Sequence, residues 1–135
     1  MNRSGCIHPE ILSALAKCGH GDSILIADGN YPIASRCPDS QLVYLGVTSG
    51  VPSVTEVLDA VLAEISVEAV TVMDPGTAEP PAIFAEFQER FPGMEFERLS
   101  RFDFYDAAKG KARLAISTGE KRVFANVLLT VGCVD

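Results

Sequence analysis

The 135 residues leave room for one hydrophobic core and too little chain for a second domain. Apolar residues at 47% against 21% charged, with no low-complexity tract, exclude a disordered or fibrous chain and place residues 1–135 in one globular unit. The net charge is −7 and the eleven Lys and Arg are scattered, so no surface is suited to hold phosphates and no nucleic-acid partner is expected; a neutral ligand suits this balance.

Met1 to Ser4 lack the apolar run of a signal peptide, and no stretch reaches the roughly 20 apolar residues of a membrane span. A cytoplasmic protein with no membrane partner is expected. Cys6, Cys18, Cys37 and Cys133 form no Cys-x-x-Cys pair and have no histidine at zinc-ligand spacing, so they read as reduced thiols, with no metal site.

Pro9 suits the first turn of a helix, and Ile11, Leu12, Leu15 and Ala16 recur on one face up to Gly19, predicting a helix over 9–18. Ser23 to Asp28 is a continuous apolar run between Gly21 and Gly29-Asn30, the pattern of a strand covered on both faces. Pro32 and Pro38 predict a loop, and Leu42 to Leu45 a second strand. Ser53, with Glu56 three residues on, forms a capping-box signature ahead of Val54, Val57, Leu58, Val61, Leu62 and Ile65 at helical spacing. Ala69 to Met73 reads as a strand, 81–91 as a helix ended by Pro92-Gly93, and Glu95 to Leu99 as another strand. Ser100 can cap a short helix through Tyr105 and Ala108. Ala112 to Ser117 and Val123 to Val131 read as strands joined by a tight turn at Thr118-Gly119-Glu120. The sum is an α/β fold: a single-domain three-layer sandwich with a mixed, mostly parallel sheet and a C-terminal β-hairpin.

The densest polar cluster is Gly19-His20-Gly21-Asp22, followed by Asp28-Gly29-Asn30-Tyr31-Pro32. An imidazole between two glycines has little steric cover and titrates nearest neutral pH, as proton transfer requires. The same string also reads as a helix C-cap followed by a surface turn. Asp28 ends an apolar strand, where ligands bind in α/β sheets, yet Asp-Gly-Asn is equally a turn string. No glycine-rich phosphate loop, Gly-x-Ser-x-Gly elbow or His-x-x-x-His pair is present, so nothing points to a cofactor.

His8-Pro9-Glu10-Ile11-Leu12 with Leu15-Ala16, then Gly19 to Asp22, Asp28 to Pro32, Arg101 to Tyr105, Thr118-Gly119-Glu120 and Phe124-Ala125-Asn126 together resemble the ribose pyranase and fucose mutarotase family, in order along nearly the whole chain. The Arg-Phe-x-Phe-Tyr string is similar to the fucose branch. The resemblance implies a cofactor-free isomerase that opens and recloses the ring of a free monosaccharide, L-fucose ahead of D-ribose. It implies His20 as catalytic acid–base, Asp28, Arg101, Phe124 and Asn126 as substrate-binding residues, Asp22, Tyr105 and Glu120 in support, and a ring-shaped homo-oligomer, typically a decamer. Phe124 stands where the family carries tyrosine, so one hydroxyl able to bond a sugar is missing, and the stretch from Tyr105 to Thr118 is one residue longer than usual.

Two other readings use the same residues: a non-catalytic monosaccharide-binding or transport-accessory protein, and an oligomeric scaffold with a vestigial site. The mutarotase reading carries a geometric tension. A strand rising about 3.3 Å per residue between His20 and Asp28 separates them by roughly 20 Å. Either the chain turns back near Gly21 or Gly29, or a neighbouring subunit completes the site.

Overall fold

The strand built from the longest buried apolar run lies inside the sheet: all five residues of β1 (Ser23–Ala27) are buried. In this computed structural model, which describes residues 1–135, β1 pairs in parallel with β5 (Ala112–Ser117) and antiparallel with β6 (Val127–Val131). β2 (Gln41–Tyr44) forms the edge beside β5, while β3 (Val67–Met73) and β4 (Glu97–Leu99) extend the sheet beyond β6. The six strands run in the order β2-β5-β1-β6-β3-β4, and β6 alone opposes the others.

Side chains that alternate along a strand face opposite layers. Ile24, Ile26, Leu114, Ile116, Val127 and Leu129 face one core, shared with α1 (Pro9–Lys17), α3 (Val54–Leu62) and α4 (Ile83–Arg90). Leu25, Ala27, Ala115 and Leu128 face a smaller second core, shared with α2 (Ile33–Arg36) and α5 (Arg101–Lys111). This is the expected three-layer α/β sandwich with a mostly parallel sheet. No helix is long and apolar enough to cross a membrane.

Local chemistry sets the helix starts. The Ser53 hydroxyl accepts the Glu56 amide at 3.2 Å while the Glu56 carboxylate accepts the Ser53 amide at 3.0 Å, the full capping box. Ser100 caps α5 through the Asp103 amide, and His8 caps α1 through Nδ1, which accepts the Ile11 amide at 3.3 Å.

Three expectations are corrected. The stretch read as a loop after Pro32 contains the one-turn α2. The terminal hairpin does not form, because β1 lies between β5 and β6. Thr118 does not turn the chain back on β5; its amide and hydroxyl both donate to the Ala27 carbonyl, at 3.0 and 2.8 Å. Residues 123–126 are not strand either, since Phe124 takes φ +58°, a left-handed conformation incompatible with a ladder.

Candidate functional site

Because five strands are parallel and β6 opposes them, one edge of the sheet gathers their C-terminal ends with the N-terminal end of β6. Asp28 follows β1, Met73 ends β3, Arg101 opens α5 after β4, and Asn126 precedes β6. These residues, with Asn30, Tyr31, Tyr105, Val123 and Phe124, line a cavity of about 210 Å³. That size suits a small polar molecule, and apolar rings with a few convergent polar groups are the usual lining of a ligand site. A shallower cleft of about 370 Å³ adjoins it through Asn30, but Val47 is its one apolar wall, so it offers no ring to a ligand's carbon face.

Asp28 is 3% exposed and held on several sides. Its amide donates to Asn126 Oδ1 at 2.8 Å, and its Oδ1 accepts the Asn30 amide at 2.8 Å. Burial pushes the Asp28 carboxyl up from the ordinary carboxylate value, against the N–H donors of Asn30, Ala125, Tyr31 and Asn126, which favour the charged form. A carboxyl so placed is suited to proton exchange or to hydrogen-bonding a hydroxyl.

On the opposite wall, Arg101 Nε donates to the Tyr105 hydroxyl at 3.0 Å, and Arg36 stacks over the Tyr105 ring at 4.5 Å. Tyr105 thus orients Arg101 from one turn along α5. Tyr31 packs edge-on against Tyr105, with centroids 5.0 Å apart, and its buried hydroxyl has no partner within the chain. Sequence reasoning placed Asn30, Tyr31, Met73 and Val123 in no site. The first two carried a signal in belonging to the Asp28 turn; Met73 and Val123 carried none.

Glu120 holds the loop bearing Phe124 and Asn126. Its side chain is 4% exposed, and its carboxylate accepts from the Val54 amide at the start of α3 and from the Arg122 amide, Nε and Nη2. Arg122 also pairs with Glu86 on α4. The Arg122 guanidinium, foremost, holds the Glu120 carboxyl below its ordinary value. Gly119 makes the packing possible: a Cβ there would lie 2.3 Å from the Val51 carbonyl oxygen.

Within one chain, Asp28, Arg101, Tyr105, Phe124 and Asn126 therefore meet, with Glu120 behind them, while His20 and Asp22 lie elsewhere. His20 precedes β1 and so sits at the other edge of the sheet, about 17 Å of extended strand away from Asp28 even when counted only from Ser23. The turn at Gly21, φ +90°, does not carry it back: the Gly21 amide donates to the Val131 carbonyl at 2.9 Å at the end of β6. Asp22 braces this turn by accepting the Gly19 amide at 2.8 Å and Arg113 Nε at 3.2 Å. His20 Nε2 lies 2.9 Å from Glu68 Oε2 at the start of β3.

Comparison with known proteins finds relatives in both sequence and fold. The chain is 36% identical over 132 residues to D-ribose pyranase 2 of Streptomyces griseus, covering 98% of each. Its fold superposes with a TM-score of 0.85 on Bacillus subtilis RbsD complexed with D-ribose, and equally on the fucose mutarotase of Streptococcus pneumoniae in complex with L-fucose; in both cases identity is 28% and all of both chains is covered. With the profile of that family matching residues 1–134, the chain belongs to the RbsD / FucU transport protein family.

Proposed function

We propose that the protein is a monosaccharide mutarotase, an isomerase that interconverts the ring forms of a free sugar by acid–base ring opening and reclosure. One group protonates the ring oxygen while another takes the proton of the anomeric hydroxyl; the ring opens, the exposed carbonyl carbon turns, and reclosure gives the other anomer. The supporting observation is the cavity itself, in which a buried carboxyl, an arginine and an amide converge beside aromatic walls.

In this reading Asp28 binds the sugar hydroxyls or serves as partner base, Arg101 and Asn126 hold the remaining hydroxyls, and Phe124 packs on the ring. His20 is the acid–base. Since it lies at the far edge of its own sheet, it reaches the cavity of a second copy, and activity belongs to a homo-oligomer. Its exposure favours this: 58% of the side chain is open in the single chain. Two supports for the sugar diverge. The Arg101 to Tyr105 string favours L-fucose, whereas similar curated relatives are named D-ribose pyranases.

Saturation-transfer NMR on equilibrated L-fucose and D-ribose tests the whole proposal. Faster exchange between anomer signals is expected with wild-type protein and a loss of about 100-fold or more with His20→Ala. Near-normal exchange in that variant would remove His20 from the mechanism. The cavity of one chain contains no imidazole, which favours a second reading, a non-catalytic sugar-binding or transport-accessory protein. Line broadening without exchange would establish it.

A further inference from the structure

We infer that Glu68 is the positioning residue of His20, binding Nε2–H and leaving Nδ1 as the nitrogen that exchanges protons with the sugar. The inference rests on the role given to His20 above and adds the atom at which it works. A carboxylate only accepts hydrogen bonds, so the 2.9 Å contact between Glu68 Oε2 and His20 Nε2 requires the proton on Nε2. Nδ1 makes no hydrogen bond in the chain and stays open to a ligand.

Three independent features place Glu68 there. The pairing of β3 with β6 slips between Val67 and Ala69, so Glu68 occupies an irregularity in the ladder, a device that re-aims a side chain. Gly132 gives the Glu68 side chain its room: a Cβ at that position would come within 3.2 Å of the Glu68 Cβ. The end of β6 also joins both partners, since Val131 accepts the Gly21 amide, donates to the Asp22 carbonyl and pairs with Val67. Histidine turn and glutamate are therefore carried by adjacent backbone of one strand, although 48 residues separate them in sequence.

A stability role does not account for this arrangement. Both side chains are about half exposed, 58% and 45%, and ion pairs so open to water contribute little to stability. What the contact supplies is one tautomer and one ring orientation, which acid–base work needs.

The test uses 15N-histidine-labelled full-length protein, in which His8 is the one other imidazole and is assigned with His8→Asn. At a pH where the ring is neutral, wild-type His20 is expected to show a protonated Nε2 and an unprotonated Nδ1. Glu68→Ala is expected to mix the tautomers and lower kcat for anomer exchange about tenfold or more with KM within twofold of wild type. Glu68→Gln, whose carbonyl oxygen still accepts from Nε2, is expected to restore the tautomer and most of kcat. An unchanged tautomer and unchanged kcat in Glu68→Ala overturn the inference, as does a loss that Glu68→Gln does not relieve. If wild-type protein exchanges no sugar, the functional reading of His20 fails, while the 15N spectra still decide whether Glu68 sets the ring.

Discussion

Asp28 illustrates a group kept against the interest of stability. Its carboxyl is 3% exposed and its proton affinity is raised by burial, so protonation is easier in the folded chain than in the unfolded one. The favourable contribution is therefore complete below the ordinary carboxylate range and is lost as pH rises through the elevated folded value. At neutral pH the charged carboxylate is a load on the fold. Asp28→Asn keeps an acceptor for the Asn30 amide and removes the charge, so its urea midpoint is expected to exceed that of wild type at neutral pH and to converge with it in acid. Anomer exchange is expected to fall in the same variant, since the amide cannot take a proton. A neutral-pH midpoint equal to or below that of wild type would mean that the surrounding N–H donors outweigh burial.

The loop between β5 and β6 depends on Glu120 in the opposite sense. Its carboxyl is lowered chiefly by Arg122, so it stabilises the fold above the ordinary value, and that contribution is lost as pH falls through the depressed folded value. Glu120→Gln is expected to cost about 2 kcal/mol in urea unfolding at neutral pH, the range of hydrogen bonds to a buried charge, with the deficit closing as wild type is acidified. Sugar binding is expected to weaken alongside it, because the loop carries Phe124 and Asn126. This is also where the sequence misleads. Val123-Phe124-Ala125 continues into Val127 with Asn126 as the one polar interruption, and composition alone cannot separate a strand from a loop pinned at both ends. Periodicity and capping sufficed elsewhere: β1, β5, α3 and α5 stand within a few residues of their expected spans, because each is set by neighbouring residues. The hairpin failed because strand order is a long-range property: β1, from 90 residues earlier, pairs with both of the expected partners. The site divides in the same way. Asp28 and Arg101 follow strands, a position that the element pattern reveals, whereas Asn126 falls inside the strand expected over 123–131 and only the family resemblance singles it out, and Glu68 carries no local signal within Val-Glu-Ala.

The sheet as a whole imposes the last constraint. Its two edges hold different parts of the proposed chemistry, His20 and Glu68 at one and the Asp28 cavity at the other, and rigid strands keep them apart. Proton transfer needs hydrogen-bond reach, so the proposed reaction requires one copy to present its imidazole to the cavity of another, a contact that would cover Val123 beside the cavity, 64% exposed in the single chain. A net charge of −7 on every copy opposes that contact, and added salt is expected to favour it by screening. The decisive experiment mixes two defective proteins. His20→Ala lacks the imidazole but keeps the cavity; Asp28→Ala lacks the carboxyl but keeps the imidazole. Each alone is expected to be inactive. After subunits are exchanged at equal amounts, a site is intact when its imidazole comes from the second variant and its cavity from the first, each with even odds, so activity is expected to recover to about a quarter of wild type. A site contained in one chain would gain nothing from mixing, since every copy would still lack one of its two groups.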